Sequence, residues 1–334
     1  MNSKQQNLQY NSSSSEAGGP SSPFRGRGGY VKVLAPGTVA NLVCGFDVLG
    51  MCINEPNDLM EVTMLDTKEI IIKSADGYPL PLDPAMNTAG APLIEMINEV
   101  GGNVGFEVII HKKIKPGSGI GSSAASAAGA TVAANHLLGN IFSKEDMVRF
   151  AMFGEKVASG VKHADNVAPC IYGGITLIRG IHPLDIVSIP SPDLFVTVVH
   201  PQIEVKTSDA RQILRKEVKL KDAIKQWGNI AGLVAGFIQN DLPLISRSLE
   251  DVIIEPVRSI LIPGFDDVKR LCKEAGALGG GISGSGPSIF MLSETEATAN
   301  AVNEVMKDVY NKIGLDYNTY VTTINKTGVK IVDA

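Results

Sequence analysis

The sequence predicts an α+β protein in two halves, and three observations carry that expectation. At 334 residues the chain is long enough for two cores, since single domains usually run to about 100–200 residues. Short β-branched runs are mixed with helical patterns, and few of them read as parallel βαβ repeats, which favours layered α+β halves over one doubly wound sheet. A proline-rich joint holding Pro183, Pro190 and Pro192 then divides these patterns near the middle. The expected organisation is a disordered tail over residues 1–29, a first domain over 30–183 and a second over 184–334.

The tail is rich in Ser, Gly, Pro and Asn, so it buries too little apolar surface to order, and it lacks the apolar core of a secretory signal. Strands are expected at Tyr30–Pro36, Asp58–Leu65, Glu69–Ser74 and Gly105–Ile114, and the apolar spacing of Asn87–Val100 is helical. A glycine loop then leads into a helix over Ser122–Leu138. Ser143, followed three residues on by Asp146, reads as the N-cap of the next helix. Gly173–Gly180 closes the first half as a strand. Phe195–Pro201 opens the second half, followed by helices at Ser208–Lys216, Asp222–Gln239, Leu242–Leu249 and Asp266–Glu274. A strand at Ser288–Glu294, a helix at Thr295–Ile313 and a strand at Tyr317–Asn325 complete it.

Composition narrows the function classes. Hydrophobic residues make up 44% and charged residues 19%, as in soluble globular proteins. The net charge is −5, and the tail carries +2 of its own, so the body is acidic and a nucleic-acid partner is not expected. Cys44, Cys52, Cys170 and Cys272 are scattered without a C-x-x-C pair, which fits a reducing, cytoplasmic setting. The five histidines show no metal-ligand spacing. Residues 116–143 carry no formal charge, yet their Gly, Ser and Asn content is wrong for lipid, so no membrane partner is expected either.

Chemistry concentrates in "PGSGIGSSAASAAGA", Pro116 to Ala130. A P-loop would need a lysine after its second glycine, and none lies between Lys115 and Lys144. "GIGSSA" satisfies a dinucleotide fingerprint, but the acid required about 20 residues on has only Glu145 as a candidate, in the first turn of a helix. The remaining template is P-G-x-G-x-G-S-S-A-A, supplied by Pro116, Gly117, Gly119, Gly121, Ser122, Ser123, Ala124 and Ala125. Its glycines let the backbone approach phosphate oxygens, the helix N-terminus adds partial positive charge, and its serines can donate to phosphate or ligate Mg²⁺.

With two companion segments, this loop makes the chain resemble the GHMP family of small-molecule kinases. "KVLAPGTVANLVCGFDVLG" (Lys32–Gly50) is similar to the family's N-terminal substrate motif, and "GGGISGSGPSIFML" (Gly279–Leu292) to its C-terminal glycine motif, which braces the phosphate loop. The details look most like the homoserine-phosphorylating branch. "ANLVCGFDVLG" matches its signature except that Val43 stands where glycine is usual; "HADNVAPCIYGG" (His163–Gly174), "KTSDARQIL" (Lys206–Leu214) and "IIEPVRSILIPGF" (Ile253–Phe265) resemble further blocks.

The resemblance implies a GHMP kinase fold, with a first domain like ribosomal protein S5 domain 2 and a ferredoxin-like second domain. It also implies ATP and Mg²⁺, L-homoserine as the small-molecule substrate, and a homodimer. Pro116, Gly117, Ser118, Gly119, Ile120, Gly121, Ser122, Ser123, Ala124, Ala125 and Ser126 would form the nucleotide loop, with Ser123 and Glu155 on the metal. Arg211 and Arg258 suit the substrate carboxylate, because a guanidinium can make paired hydrogen bonds to it, and Asp47 suits the ammonium. Asn41 and Asp165 would place the hydroxyl, and Thr207 would add a hydrogen bond. Asp165 acts either as general base or only to orient the hydroxyl, and whether Lys162 touches it is open. His163 reads as structural. Asn54–Asp58 are candidates for adenine.

Overall fold

The computed structural model describes residues 29–205 and 207–333, without the side chains of residues 207 and 208. The expected tail thus falls outside the described residues apart from Gly29. In chain order, β1 (Tyr30–Ala40), β2 (Leu49–Leu65) and β3 (Ile70–Gly77) are followed by α1 (Gly90–Val100), β4 (Gly105–Lys112), α2 (Ser122–Leu137), α3 (Lys144–Ser159) and α4 (Val167–Tyr172). Strands β5 (Ile175–Ile181), β6 (Leu184–Ile189) and β7 (Phe195–Pro201) lead to α5 (Thr207–Gln212), α6 (Leu220–Gln239), α7 (Leu242–Ser248), α8 (Glu255–Arg258) and α9 (Phe265–Glu274). Then come β8 (Gly279–Ile282), β9 (Ile289–Ser293), α10 (Glu296–Ile313), β10 (Tyr317–Thr323) and β11 (Lys330–Asp333).

These strands form two sheets. The first runs β11-β1-β2-β4-β3, with the β5–β6 hairpin added through the start of β2; the second runs β10-β7-β9-β8. Only β3 and β4 pair in parallel, joined by α1 as the one crossover unit among the described strands. Alternating burial along β4 turns Phe106, Val108 and Ile110 into the core. Helix α2 is buried on nearly every face because its residues are so small: a Cβ on Gly129 would come within 2.5 Å of the Met60 sulfur and 2.9 Å of the Ala35 methyl. Behind it, α3 starts on the expected cap, a reciprocal box in which Asp146 N donates to Ser143 Oγ at 3.1 Å and Ser143 N donates to Asp146 Oδ2 at 3.2 Å. Among the described residues no helix is long and apolar enough to cross a membrane.

Two expectations are corrected. The proline-rich stretch after His182 is not a joint: Leu184–Ile189 is strand β6, paired antiparallel with β5, so the expected division at 183/184 passes through a hairpin of the first sheet. β11 returns to that sheet as well, against β1. β-branched Ile186, Val187 and Ile189 outweigh the prolines, which lie outside the strand. The second correction concerns Asn54–Asp58: Asn54 and Glu55 make a seam between the sheets, and Asp58 is buried in an ion pair with Lys112. Asn54 Nδ2 donates to Thr323 Oγ1 at 2.8 Å, Glu55 N donates to Thr322 Oγ1 at 3.0 Å, and Ile53 bridges to Ile324.

Candidate active site

A cleft of about 840 Å³ opens between the halves, and the loop from Pro116 forms its floor. Gly117, Gly119 and Gly121 have φ of 75°, 80° and 65°, in the left-handed region that glycine tolerates. Glycine is also needed for space. A Cβ on Gly119 would lie 2.7 Å from the carbonyl oxygens of Ser283 and Gly286, and one on Gly121 would lie 1.9 Å from Thr38 Oγ1. The C-terminal glycine segment therefore packs directly onto this loop, with Ser283 Oγ donating to the Gly119 carbonyl at 2.7 Å. Gly121 provides no capping side chain for α2, so the first-turn amides of this helix stay available beside the cleft.

The loop residues divide by direction. Pro116, Gly117, Gly119, Gly121, Ser122 and Ser123 line the cleft, whereas Ser118, Ile120, Ala124, Ala125 and Ser126 are buried behind it. Ser122 Oγ is committed to the Ile114 carbonyl at 2.8 Å. Beneath the loop lies a pair the sequence did not reveal: Lys112 and Asp58, 1% and 0% exposed, form an ion pair. The Lys112 ammonium also donates to the Ser122 carbonyl at 2.6 Å and Ser126 Oγ at 2.9 Å, while Asp58 Oδ1 accepts from the amides of Lys113 and Ile114 at 2.8 and 2.9 Å. Both ends of the loop are thereby tied to one buried pair. The lysine sits in the run "HKKIK", which reads as a solvated charge cluster, and its partner lies 54 positions away.

On the facing wall the substrate-motif residues gather. Asn41, Leu42, Val43 and Asp47 all have positive φ, and Val43, where the motif usually has glycine, sits at 67°. That backbone explains the usual glycine. Asn41 Nδ2 donates to the Gly284 carbonyl at 2.8 Å and its Oδ1 accepts from the Asp47 amide at 3.1 Å, which fixes the turn. Arg211 holds the Asp47 carboxylate with both terminal nitrogens, at 2.9 and 3.1 Å. Arg258 is 3% exposed, donates from Nε to the Ala210 carbonyl at 2.9 Å and from Nη1 to the Gly284 carbonyl at 3.1 Å, and makes no ion pair with the described residues. Burial, and then Arg211 nearby, bring its guanidinium down to about 10.

Two buried carboxyls complete the wall. Asp165 is pushed up to about 7 by burial and by the charges of Asp47 and Glu155. Glu155 is pushed up to about 7 by burial, opposed only by the Ser123 hydroxyl beside it, and its Oε1 has no hydrogen-bond partner. A buried orphan oxygen next to a hydroxyl suits a hard divalent cation, so this pair fits Mg²⁺. No group of three or more His, Cys, Asp or Glu gathers as a metal site among the described residues, so further ligands would come from phosphate and water. The Lys162 ammonium lies over the Phe153 ring, 3.4 Å from its centroid, and makes no ion pair with Asp165. His163 stands in the cleft with Nδ1 3.9 Å from Asp47. Asn54–Asp58 contribute nothing to the lining, and the Thr207 side chain lies outside the described residues.

Residues 87–174 match the GHMP kinases N terminal domain and residues 233–312 the GHMP kinases C terminal domain. A homoserine kinase of Chloroherpeton thalassium is 44% identical over 312 residues, covering 89% of this chain and 98% of the relative. The chain belongs to the GHMP kinase family, in its homoserine kinase branch. The homoserine kinase of Methanocella arvoryzae is 39% identical over 91% of this chain and 97% of its own. The crystal structure of homoserine kinase from Cytophaga hutchinsonii superposes with a TM-score of 0.87 at 47% identity, covering 91% of this chain and 97% of that one. L. major mevalonate kinase, at 16% identity and a TM-score of 0.65, shares the fold. The GHMP kinase fold expected from the three motifs is the fold observed.

Proposed function

We propose that the chain transfers the γ-phosphoryl group of ATP to the side-chain hydroxyl of L-homoserine, giving O-phospho-L-homoserine and ADP on the way to threonine. The observation that carries this reading is the convergence, on one cleft, of two guanidiniums and the Asp47 and Asp165 carboxyls around the uncapped amides of α2. Arg211 and Arg258 take the amino acid's carboxylate, and Asp47 its ammonium. Arg211 and Asp47 must release one another first, each exchanging its internal partner for the opposite end of the zwitterion. Asn41, pinned between Gly284 and Asp47, orients the acceptor, and Thr207 adds a hydrogen bond.

Asp165 is the general base of this reading. It is buried at the cleft wall, its carboxyl titrates near neutrality, and Lys162 does not neutralise it. Positioning and charge neutralisation account for most of phosphoryl-transfer catalysis, and the loop amides with Ser123 supply them from this chain. Mg²⁺, held by Ser123 and Glu155, supplies charge compensation on the phosphate oxygens when bound. A homodimer is part of the proposal, supported by the exposed apolar stripe of Leu220, Ile224 and Trp227 on α6. So is a cytoplasmic location, supported by four free, buried cysteines.

The test is ADP release with Mg-ATP and L-homoserine, mevalonate or galactose offered separately. Turnover with homoserine alone is expected. R258A should raise the KM for homoserine by about tenfold or more, the scale of a lost charge-assisted hydrogen bond. ATP binding without turnover of any acceptor would overturn the reading.

A further inference from the structure

Phe46 has no role in the site as described, yet its ring lies against both guanidiniums. The Arg258 Cζ is 4.9 Å from the ring centroid and the Arg211 Cζ 5.4 Å, both within the range in which a cation is drawn to an aromatic face. The two cations repel each other, and Arg258 is buried with carbonyl oxygens but no carboxylate as partners among the described residues. The ring therefore supplies part of the negative potential that holds Arg258 in place. Its own position is fixed from below. Phe46 is half-buried and directly precedes Asp47, whose left-handed backbone at φ 61° and amide bond to Asn41 set the turn. It lines the main cleft and also a void of about 10 Å³ behind it, bounded by Val43, Glu255 and Ile282.

We propose that Phe46 is a positioning residue that holds Arg211 and Arg258 at one common spacing, and so sets the preference for acceptors that carry an α-carboxylate. The inference rests on the homoserine reading above. An aliphatic side chain of similar volume would keep the packing but lose the attraction, leaving the guanidiniums free to separate. The carboxylate would then have to reassemble its own clamp, at the cost of binding and not of chemistry.

The test compares F46L and F46Y with wild type in steady-state ADP release. It adds inhibition constants for 3-aminopropan-1-ol, which is homoserine without its carboxylate. In F46L the KM for L-homoserine should rise about tenfold, with kcat and the KM for ATP within about twofold of wild type. The inhibition constant for 3-aminopropan-1-ol should stay unchanged, and F46Y should keep the wild-type KM. Should F46L fail to fold by circular dichroism, F46M is read in its place. Equal weakening of both ligands, a fall in kcat at constant KM, or a loss in F46Y as large as in F46L would each overturn the proposal. Wild-type enzyme that does not phosphorylate homoserine would overturn the parent reading, and this inference with it.

Discussion

Glu155 and Asp165 show most directly what the site costs the fold. An exposed carboxyl titrates near pH 4, whereas these two titrate at about 7, chiefly because burial disfavours their charge. Between those values the folded chain holds more protons than the unfolded one, so stability falls as pH rises through the window and stays lower above it. E155Q removes a charge whose Oε1 has no partner. It should raise the melting temperature of the ligand-free protein at pH 8, with a smaller gain at pH 5, while turnover collapses. Scanning fluorimetry at the two pH values checks this, and a lower melting temperature at pH 8 would contradict it. Asp165 gives a separate expectation: kcat/KM for homoserine rises with pH through about 7, and D165N loses both that limb and about 10²–10⁴-fold in rate. Arg258 and Asp165 were legible because they stand in motif segments with unusual neighbours. Phe46 was visible only as a member of the matched segment ANLVCGFDVLG, which gives it no role, since a contact with two arginines from distant helices is invisible along the chain.

At the scale of elements, the glycine loop is rigid because it is tied from two sides, by the Lys112–Asp58 pair below and by the Ser283–Gly286 turn above. Removing one member of a buried ion pair typically costs about 3–5 kcal/mol, because the other charge is left without compensation. K112M should therefore lower the melting temperature. It should also raise the KM for ATP several-fold while the KM for homoserine moves less than about twofold, since the lysine touches the first turn of α2 and not the arginine wall. Equal changes in both KM values would show that the pair serves stability alone. Helices α1, α3 and α10 were readable from spacing and caps, because those signals are local, and α2 was read from the glycine loop that leads into it. β6, β8 and β11 were not. Prolines masked the first, and the last is too short to show a period. β8 is mostly glycine because it packs so closely: a Cβ on Gly280 would meet the Phe290 carbonyl at 1.9 Å, and one on Gly281 the Glu255 carboxylate at 2.1 Å.

For the whole molecule, one apolar cluster joins the halves: Val31, Val62 and Phe106 of the first sheet are continuous with Val196, Phe290 and Leu292 of the second and with Leu233 and Phe237 of α6. A shared core predicts a single cooperative thermal transition, with matching calorimetric and van't Hoff enthalpies, and two separated transitions would refute it. The expectation of two cores held only in part, because hydrophobic pattern shows which residues are buried but not whether two sets of them merge. The chain also passes between the sheets twice in this second half, from β6 to β7 and again from β10 to β11, and the seam of Asn54 with Thr323 lies beside the second passage. The two connections meet, with Lys326 Nζ of one 2.6 Å from Asp193 Oδ1 of the other, so the sheets are tied together at that place as well as through the core. Across the cleft, a single turn serves both walls: Ser283 holds the glycine loop at Gly119 while Gly284 holds Arg258, so the two sides are referred to one fixed point.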